Sequence, residues 1–498
     1  MSSLHEQAMS YVYQQVLQRL LGYFKRAERT ALQLLIQRLI VAAGGIEQIA
    51  NFRVLVPFSG GKDSAYTVAL LRAAQLSIAG RAPATFNLRV ASMRHPGMTA
   101  PVLDNIQRTY AALFLHDDPR VELLAVDREA VRLFEPQEML SVADREQHRS
   151  DMLMNGHVSA GDGRTTFCNS CYLSLADFFT RTAAWGEGVD AVVMGDSRKE
   201  QKQYVTWARR LLPASGYRLS DFSHQNFDGM LNIINGIRQA YHQALYGDAE
   251  ETSRLWVMPT DKAVIPAFIG IGDLLPSDAE AHWKLLTEFL GFRFDELSLG
   301  FSESDCANPL LMAHMRGLMT QWVQGRTYAQ GIGEYLQLAE ALMRRKKMPQ
   351  RLIEQALGAY AGEEAIALRR ELAGNLAMDA FGVSEGQLIC LLFSPFVNEG
   401  RGLEPFLRRC HPGMLIALPD MHKALQDLPA PEQVVQWLVD ISGLSLEGLQ
   451  RLYGKTLVDF DNPESIIARI RVADPDKQRI RVVDPQTGVA TRLLLSGR

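Results

Sequence analysis

The sequence predicts an α/β protein. A doubly wound, mainly parallel sheet is expected within residues 49–310, after a helical segment at 1–48. A mostly helical domain, 311–498, is expected to close in a β-hairpin. Three observations predict this. The stretch Arg53-Val-Leu-Val-Pro-Phe-Ser-Gly-Gly-Lys-Asp-Ser64 reads as a buried strand, a tight glycine turn and a helix start. Short apolar runs then alternate with segments of helical spacing as far as Met194. Beyond about residue 310 the pattern becomes helical, broken near Pro349, Pro395, Pro412 and Pro431.

The elements follow in order. Residues 4–42 carry apolar positions at helical spacing and stop at Gly44-Gly45, giving one long or two shorter helices for packing or dimerisation. Strand 54–58 precedes helix 65–74. Strand 86–93 ends at Arg94-His-Pro-Gly97 and precedes helix 101–114. Strand 121–126 precedes a charged helix over about 136–154. Residues 156–164 are glycine-rich and polar and are expected to form a mobile lid or a plain surface loop. Helix 173–185 leads to strand 190–194. Short apolar runs within 255–271 are followed by helix 278–290, and residues 479–495 read as a β-hairpin turning at Pro485-Gln-Thr-Gly488. In an open parallel sheet, ligands bind outside the carboxyl ends of the strands. Segments 59–64, 92–97 and 195–198 therefore converge on one expected site.

The chemistry of Ser59-Gly-Gly-Lys-Asp-Ser64 is that of a phosphate cradle. The first N–H groups of a helix point out of its end, and the peptide dipoles place about half a positive charge there. Gly60 and Gly61 let a phosphate approach the backbone closely. Lys62 brings a mobile charge, and Ser59 and Ser64 bring hydroxyl donors. The spacing fits neither the Walker loop nor the dinucleotide fingerprint. These six residues, with a strand before and a helix after, resemble the signature of the PP-loop ATP pyrophosphatases. The resemblance implies an adenine nucleotide α-hydrolase-like fold and an ATP site that activates a substrate carbonyl as its adenylate, releasing pyrophosphate. It implies that Lys62 neutralises phosphate charge, that Ser59, Gly60, Gly61 and Ser64 hold pyrophosphate, and that Asp63 caps the helix or helps position Mg²⁺. Gly195 and Asp196, after the fourth strand, sit where the superfamily often carries a second motif. Asp196 would hold Mg²⁺ or contact ATP, or else cap a helix. Ser92 and Met93, with Arg94, lie in the region expected to meet adenine.

Five cysteines, Cys168, Cys171, Cys306, Cys390 and Cys410, are too few and odd in number for a disulfide framework. Cys390 lies in an apolar run and reads as core; Cys410, beside Arg408, Arg409 and His411, is a weaker site candidate. Cys168-Asn-Ser-Cys171 alone is compatible with zinc, a cluster or a redox pair. Joined to Cys306, it resembles the PP-loop tRNA thiolation enzymes of the 2-thiocytidine and 2-thiouridine types. That implies three thiolates holding a [4Fe–4S] cluster with one iron open to sulfide. Zn²⁺ with a fourth ligand such as His157 or Asp305, a persulfide-carrying thiol pair, and plain packing stay open. The extra cysteine pairs of many such relatives are missing, and Gly-Asp-Ser stands where Gly-His-Asn is more usual.

The net charge of −4 gives no global attraction to nucleic acid or anionic membrane. Local basic stretches remain candidate RNA contacts or solvated faces: residues 198–210, which include Tyr204 and Trp207, and Arg344-Arg-Lys-Lys347 with Arg351. No leader pattern or membrane span is visible, and a cytoplasmic protein is expected. The favoured expectation is an adenylating sulfurtransferase acting on tRNA with a sulfur-donor protein. A PP-loop amidotransferase or synthetase using ammonia on a small molecule or sugar, with structural zinc, is the second. A nucleotide-sensing subunit of a larger assembly is the third. A homodimer is compatible with all of them.

Overall fold

A computed structural model of the chain describes residues 3–128, 130–136, 140–195, 206–207, 209–215, 227–247, 266–274, 282–293, 308–345, 348–473, 477–483, 488 and 490–496. Six strands form one sheet: β1 (Arg53–Pro57), β2 (Asn87–Arg94), β3 (Val121–Asp127), β4 (Ala130–Leu133), β5 (Ala191–Met194) and β6 (Ala267–Gly270). Their order is β4-β3-β2-β1-β5-β6. All neighbours pair in parallel except β3 and β4, which form an antiparallel edge. The α/β class is therefore as the alternating pattern predicts. Edge strand β4, four residues long, is an addition that the sequence pattern did not mark, whereas β6 falls within the apolar runs of 255–271.

The central strands are apolar on both faces, as buried parallel strands must be. Val54 and Val56 of β1, Leu88 and Val90 of β2, and Ala191 and Val193 of β5 share a core with α1 (Ser3–Tyr23), α2 (Arg26–Ala42), α3 (Lys62–Ala79) and α4 (Ala100–Ala112). The alternate residues Leu55, Ala91, Leu124 and Val192 pack on Phe178 and Phe179 of α6 (Gly163–Ala184) and on Ile234 of the helix Phe227–Tyr246. The N-terminal segment is thus two helices, broken at Phe24-Lys25, that bury Val16, Leu20, Leu35 and Leu39 against the sheet layer.

A second core joins α5 (Val142–Val158), the outer side of α6 and the helix Phe227–Tyr246 to the helices that follow Asn308. Met152, Leu153, Phe167, Leu173 and Tyr241 lie in it beside Leu311, Leu388, Cys390 and Phe396. Cys390 is fully buried, as its apolar run predicts, and burial raises its thiol pKa. Near the C-terminus β7 (Lys477–Val483) and β8 (Ala490–Ser496) form the expected antiparallel hairpin. Among the described residues no single helix is long and apolar enough to cross a membrane.

The expected lid at 156–164 is a correction. Residues 156–158 end α5, residue 163 begins α6, and a short turn joins them. His157 and Val158 are buried, and a Cβ on Gly156 or Gly161 would strike Leu391 or Leu392 at 2.8 and 2.7 Å. The glycines serve close approach of the C-terminal helices rather than freedom of a loop.

Beneath the sheet layer, Arg72 and Asp118 form an ion pair at 2.7 Å with both side chains fully buried. Arg72 also donates to the carbonyls of Leu113 and Phe114 and to Gln75. Burial alone would raise the Asp118 pKa. The Arg120 and Arg72 guanidiniums outweigh it and hold the carboxyl at about 2. Its contribution to stability is therefore complete above its unfolded pKa, near 4, and is lost as pH falls through about 2. Asp118→Asn should cost about 3–5 kcal/mol at pH 7, because it leaves Arg72 buried and uncompensated. Urea unfolding at pH 7 and pH 3 should show this penalty shrinking at the lower pH; a penalty equal at both would remove the ion pair from the account.

Candidate functional site

The strand order reverses between β1 and β5: the chain goes from β1 to β2 and β3 on one side, then returns to place β5 on the other. The turn after β1 therefore opens at the switch point of the sheet, where a crevice forms at the carboxyl ends. Phe58 still donates its N–H to Ala91, and the next six residues form the turn and the first turn of α3. Gly60 sits at φ +78°, and a Cβ there would lie 2.8 Å from Val102 Cγ1. Only glycine fits both that conformation and the contact with α4.

Gly61 is the N-cap of α3 and supplies no side-chain cap. The first intrahelical bond closes from Ala65 N–H to the Gly61 carbonyl, so the earlier N–H groups face out of the helix end. The Ser59 and Ser64 hydroxyls lie 3.0 Å apart, and Ser64 Oγ donates to the Gly61 carbonyl at 3.0 Å. Lys62 Nζ lies 3.3 Å from Asp63 Oδ2. Asp63 is exposed on the first turn, so its expected capping role is corrected: the cap position belongs to Gly61. The donor set (uncapped amides, two hydroxyls and one ammonium) fits a polyphosphate.

Gly195, which follows β5, stands against the same turn. A Cβ on it would come 2.2 Å from Thr67 Oγ1, the hydroxyl that donates to the Asp63 carbonyl. The contact ties the β5 end to the first turn of α3. Asp196 lies outside the described residues. Ser92 is buried, with its hydroxyl 3.2 Å from Tyr110 of α4, so its side chain turns to the core and away from the crevice. Met93 lines a small cavity at the carboxyl edge with Arg94 and His95. Arg94 is paired with Asp127 of β3 through two hydrogen bonds, 2.6 and 2.5 Å.

The same cavity takes Arg128, His148 of α5, and Thr166, Phe167 and Ser174 of α6. Burial, with help from Arg128, lowers the His148 pKa. The start of α6 thus faces the carboxyl edge, and its far end reaches the amino edge, where Arg89 of β2 donates to the Thr182 carbonyl at 2.8 Å. Cys168 and Cys171 lie on α6 three residues apart, the spacing that puts two residues on one helix face. The predicted helix began ten residues later, so the helical setting of this pair is a finding.

The helix Pro309–Leu318 runs antiparallel to the start of α6. A Cβ on Gly163 would meet Met312 Sδ at 2.8 Å, and one on Gly161 would meet Met315 Cε at 3.2 Å. Its N-terminal end is capped by Asn308, whose side chain accepts from Leu310 N–H. Cys306 lies outside the described residues, two positions before Asn308. His157, the alternative zinc ligand, is fully buried with its ring against Phe396, and burial lowers its pKa to about 3. Cys410 is half-buried at the end of the helix Leu403–Cys410, and burial raises its pKa to about 11.

Of the basic candidates, residues 198–205 and 346–347 lie outside the described residues. Arg344 is exposed and paired with Glu340, and Arg351 sits 6.0 Å over the Trp283 ring. Sequence reasoning missed Thr67 at the switch point, and Arg128 and His148 in the cavity beside β2, which come from separate elements and carry no local signal. No known family model, no curated protein and no solved structure matches this chain.

Gly195→Ala should cost about 1–3 kcal/mol through overpacking on Thr67. Thr67→Ala should recover most of that loss in the double variant, as coupled neighbours do. Thermal unfolding of the two single variants and the double variant checks it; strictly additive losses would separate β5 from the phosphate turn.

Proposed function

We propose that this chain is an ATP-dependent adenylating enzyme of the PP-loop pyrophosphatase type, with an adenine nucleotide α-hydrolase-like fold and a mostly helical C-terminal domain. The observation that supports it most is a convergence. The uncapped Ser59–Ser64 turn and Gly195 meet at the switch point of one parallel sheet, and the start of the Cys168–Cys171 helix faces the same carboxyl edge beside β2 and β3.

In this reading ATP binds with its β- and γ-phosphates on the outward N–H groups of the turn. Ser59 and Ser64 donate to the same oxygens, and Lys62 offsets charge on the α-phosphate as it develops. The acceptor's carbonyl oxygen attacks the α-phosphorus, the bond to the β-phosphate oxygen breaks, and pyrophosphate leaves. A sulfur nucleophile then adds to the activated carbon, and AMP departs with the former carbonyl oxygen. Mg²⁺ travels with ATP, and the exposed Asp63 carboxylate and Asp196 are the candidate contacts for it.

The cysteines favour sulfur as the incoming atom. Their thiolates suit a sulfur-rich cluster: Cys168 and Cys171 stand three residues apart on α6, and the helix Pro309–Leu318, which follows Cys306 in sequence, packs against the start of α6. A [4Fe–4S] cluster on those three residues would supply an open iron for sulfide. With tRNA as acceptor and a protein sulfur donor, the enzyme would act in the cytoplasm.

Two variants made without oxygen test the proposal together. Lys62→Ala should lower pyrophosphate release from ATP at least about a hundredfold, as loss of a preorganised charge does, while iron and acid-labile sulfide per chain stay unchanged. Cys168→Ala should lose iron and sulfide while the chain still binds ATP. Stoichiometric zinc in the wild type, or full metal in Cys168→Ala, would overturn the sulfur assignment. Undiminished turnover in Lys62→Ala would overturn the adenylation site.

A further inference from the structure

The opposite edge of the sheet carries a second cavity, of about 360 Å³, at the amino ends of β1, β2 and β3. It is separated from the phosphate turn by the length of β1, about 16 Å for five residues of strand. Arg53, Arg89 and Arg120 line it together with Glu122 and Glu187.

The three guanidiniums are held in different ways. Arg89 is 94% buried by its side chain, which is 6% exposed, and is fixed by Glu122 at 2.5 Å and the Thr182 carbonyl at 2.8 Å. Those bonds use Nε and Nη1 and leave Nη2 without a hydrogen-bond partner among the described residues. Arg120 is braced by Asp118 and lies over the Tyr13 ring. Arg53 pairs with Glu187, whose side chain is 77% exposed. Glu187 stands between Gly186 (φ +55°) and Gly188 (φ +81°), in a tight turn closed by the Gly188 N–H donating to the Trp185 carbonyl at 2.9 Å. An exposed pair of this kind adds little stability and exchanges readily with another anion.

The geometry points to a binding site for a small polyanion bearing carboxylate or phosphate groups. Glu187 occupies the Arg53 fork when the ligand is absent. Arg89 is pre-set by Glu122 and the buried Thr182 carbonyl and Arg120 by buried Asp118, so a ligand meets guanidiniums whose side-chain order is already established. The cavity falls in the size range of small-molecule sites and is too small for a nucleic-acid helix.

Calorimetric titration of the full chain with citrate, pyrophosphate and AMP tests the assignment. At least one should bind, and the preference separates a carboxylate ligand from a phosphate ligand. Arg53→Gln should weaken binding about tenfold, the loss of one charge-assisted fork. Glu187→Gln, which removes the competing carboxylate, should tighten it by about threefold or more. In the Lys62→Ala chain, whose phosphate turn is weakened, binding at this cavity should persist and keep its dependence on Arg53, which separates it from the phosphate turn even if the adenylation reading fails. No binding of any of the three probes overturns the assignment. So does binding that Lys62→Ala abolishes and Arg53→Gln spares, or tight binding of an RNA oligonucleotide with none of the small anions.

Discussion

The reversal of strand order between β1 and β5 is the constraint from which the candidate site follows. Neighbouring parallel strands whose connections leave in opposite senses cannot cover their shared carboxyl end, and a crevice opens there. The chain fills its rim with a turn that has no bulky side chain until Lys62. Gly60 allows contact with α4, Gly61 leaves the first turn of α3 uncapped, and Gly195 lets the β5 end close on Thr67. Each glycine answers a different steric demand, and together they turn an ordinary strand-to-helix connection into a set of outward donors.

The second determinant is the layer made by α5, α6 and the helix Phe227–Tyr246. α6 packs Phe178 and Phe179 on the sheet and Phe167 and Leu173 on the C-terminal helices. Its N-cap, Asp162, accepts from Thr165 N–H and is held by Arg471 at 2.9 Å, a residue more than three hundred positions later. The cysteine-bearing start of α6 is thereby fixed from both sides, by the helix Pro309–Leu318 and by Arg471. The C-terminal helices contribute directly to the position of the helix that carries Cys168 and Cys171.

Much of the sheet was legible because its signals are local. Strand, glycine turn and helix follow one another within residues 53–74, and the apolar alternation marks β2, β3 and β5. The C-terminal hairpin was legible for the same reason. β4 escaped because a four-residue edge strand leaves too short a pattern. The turn at 156–164 was misread because glycine signals freedom and close packing alike, and only the positions of Leu391 and Leu392 distinguish them. The early start of α6 was hidden by Thr165, Thr166, Cys168, Asn169 and Ser170, all weak helix formers whose helix depends on tertiary packing. The cavity at the amino edge was invisible in sequence, since Arg53 of β1, Arg89 of β2 and Arg120, just before β3, meet only through strand register.

The central claim is that the Ser59–Ser64 turn presents the α-phosphate of ATP, rather than the γ-phosphate, to an acceptor. The most direct test is the identity of the nucleotide product when the wild-type chain is incubated with ATP labelled at the α- and γ-phosphates, together with total tRNA and sulfide. The account predicts AMP and pyrophosphate in equal amounts. ADP with inorganic phosphate, or no consumption of ATP, would contradict it.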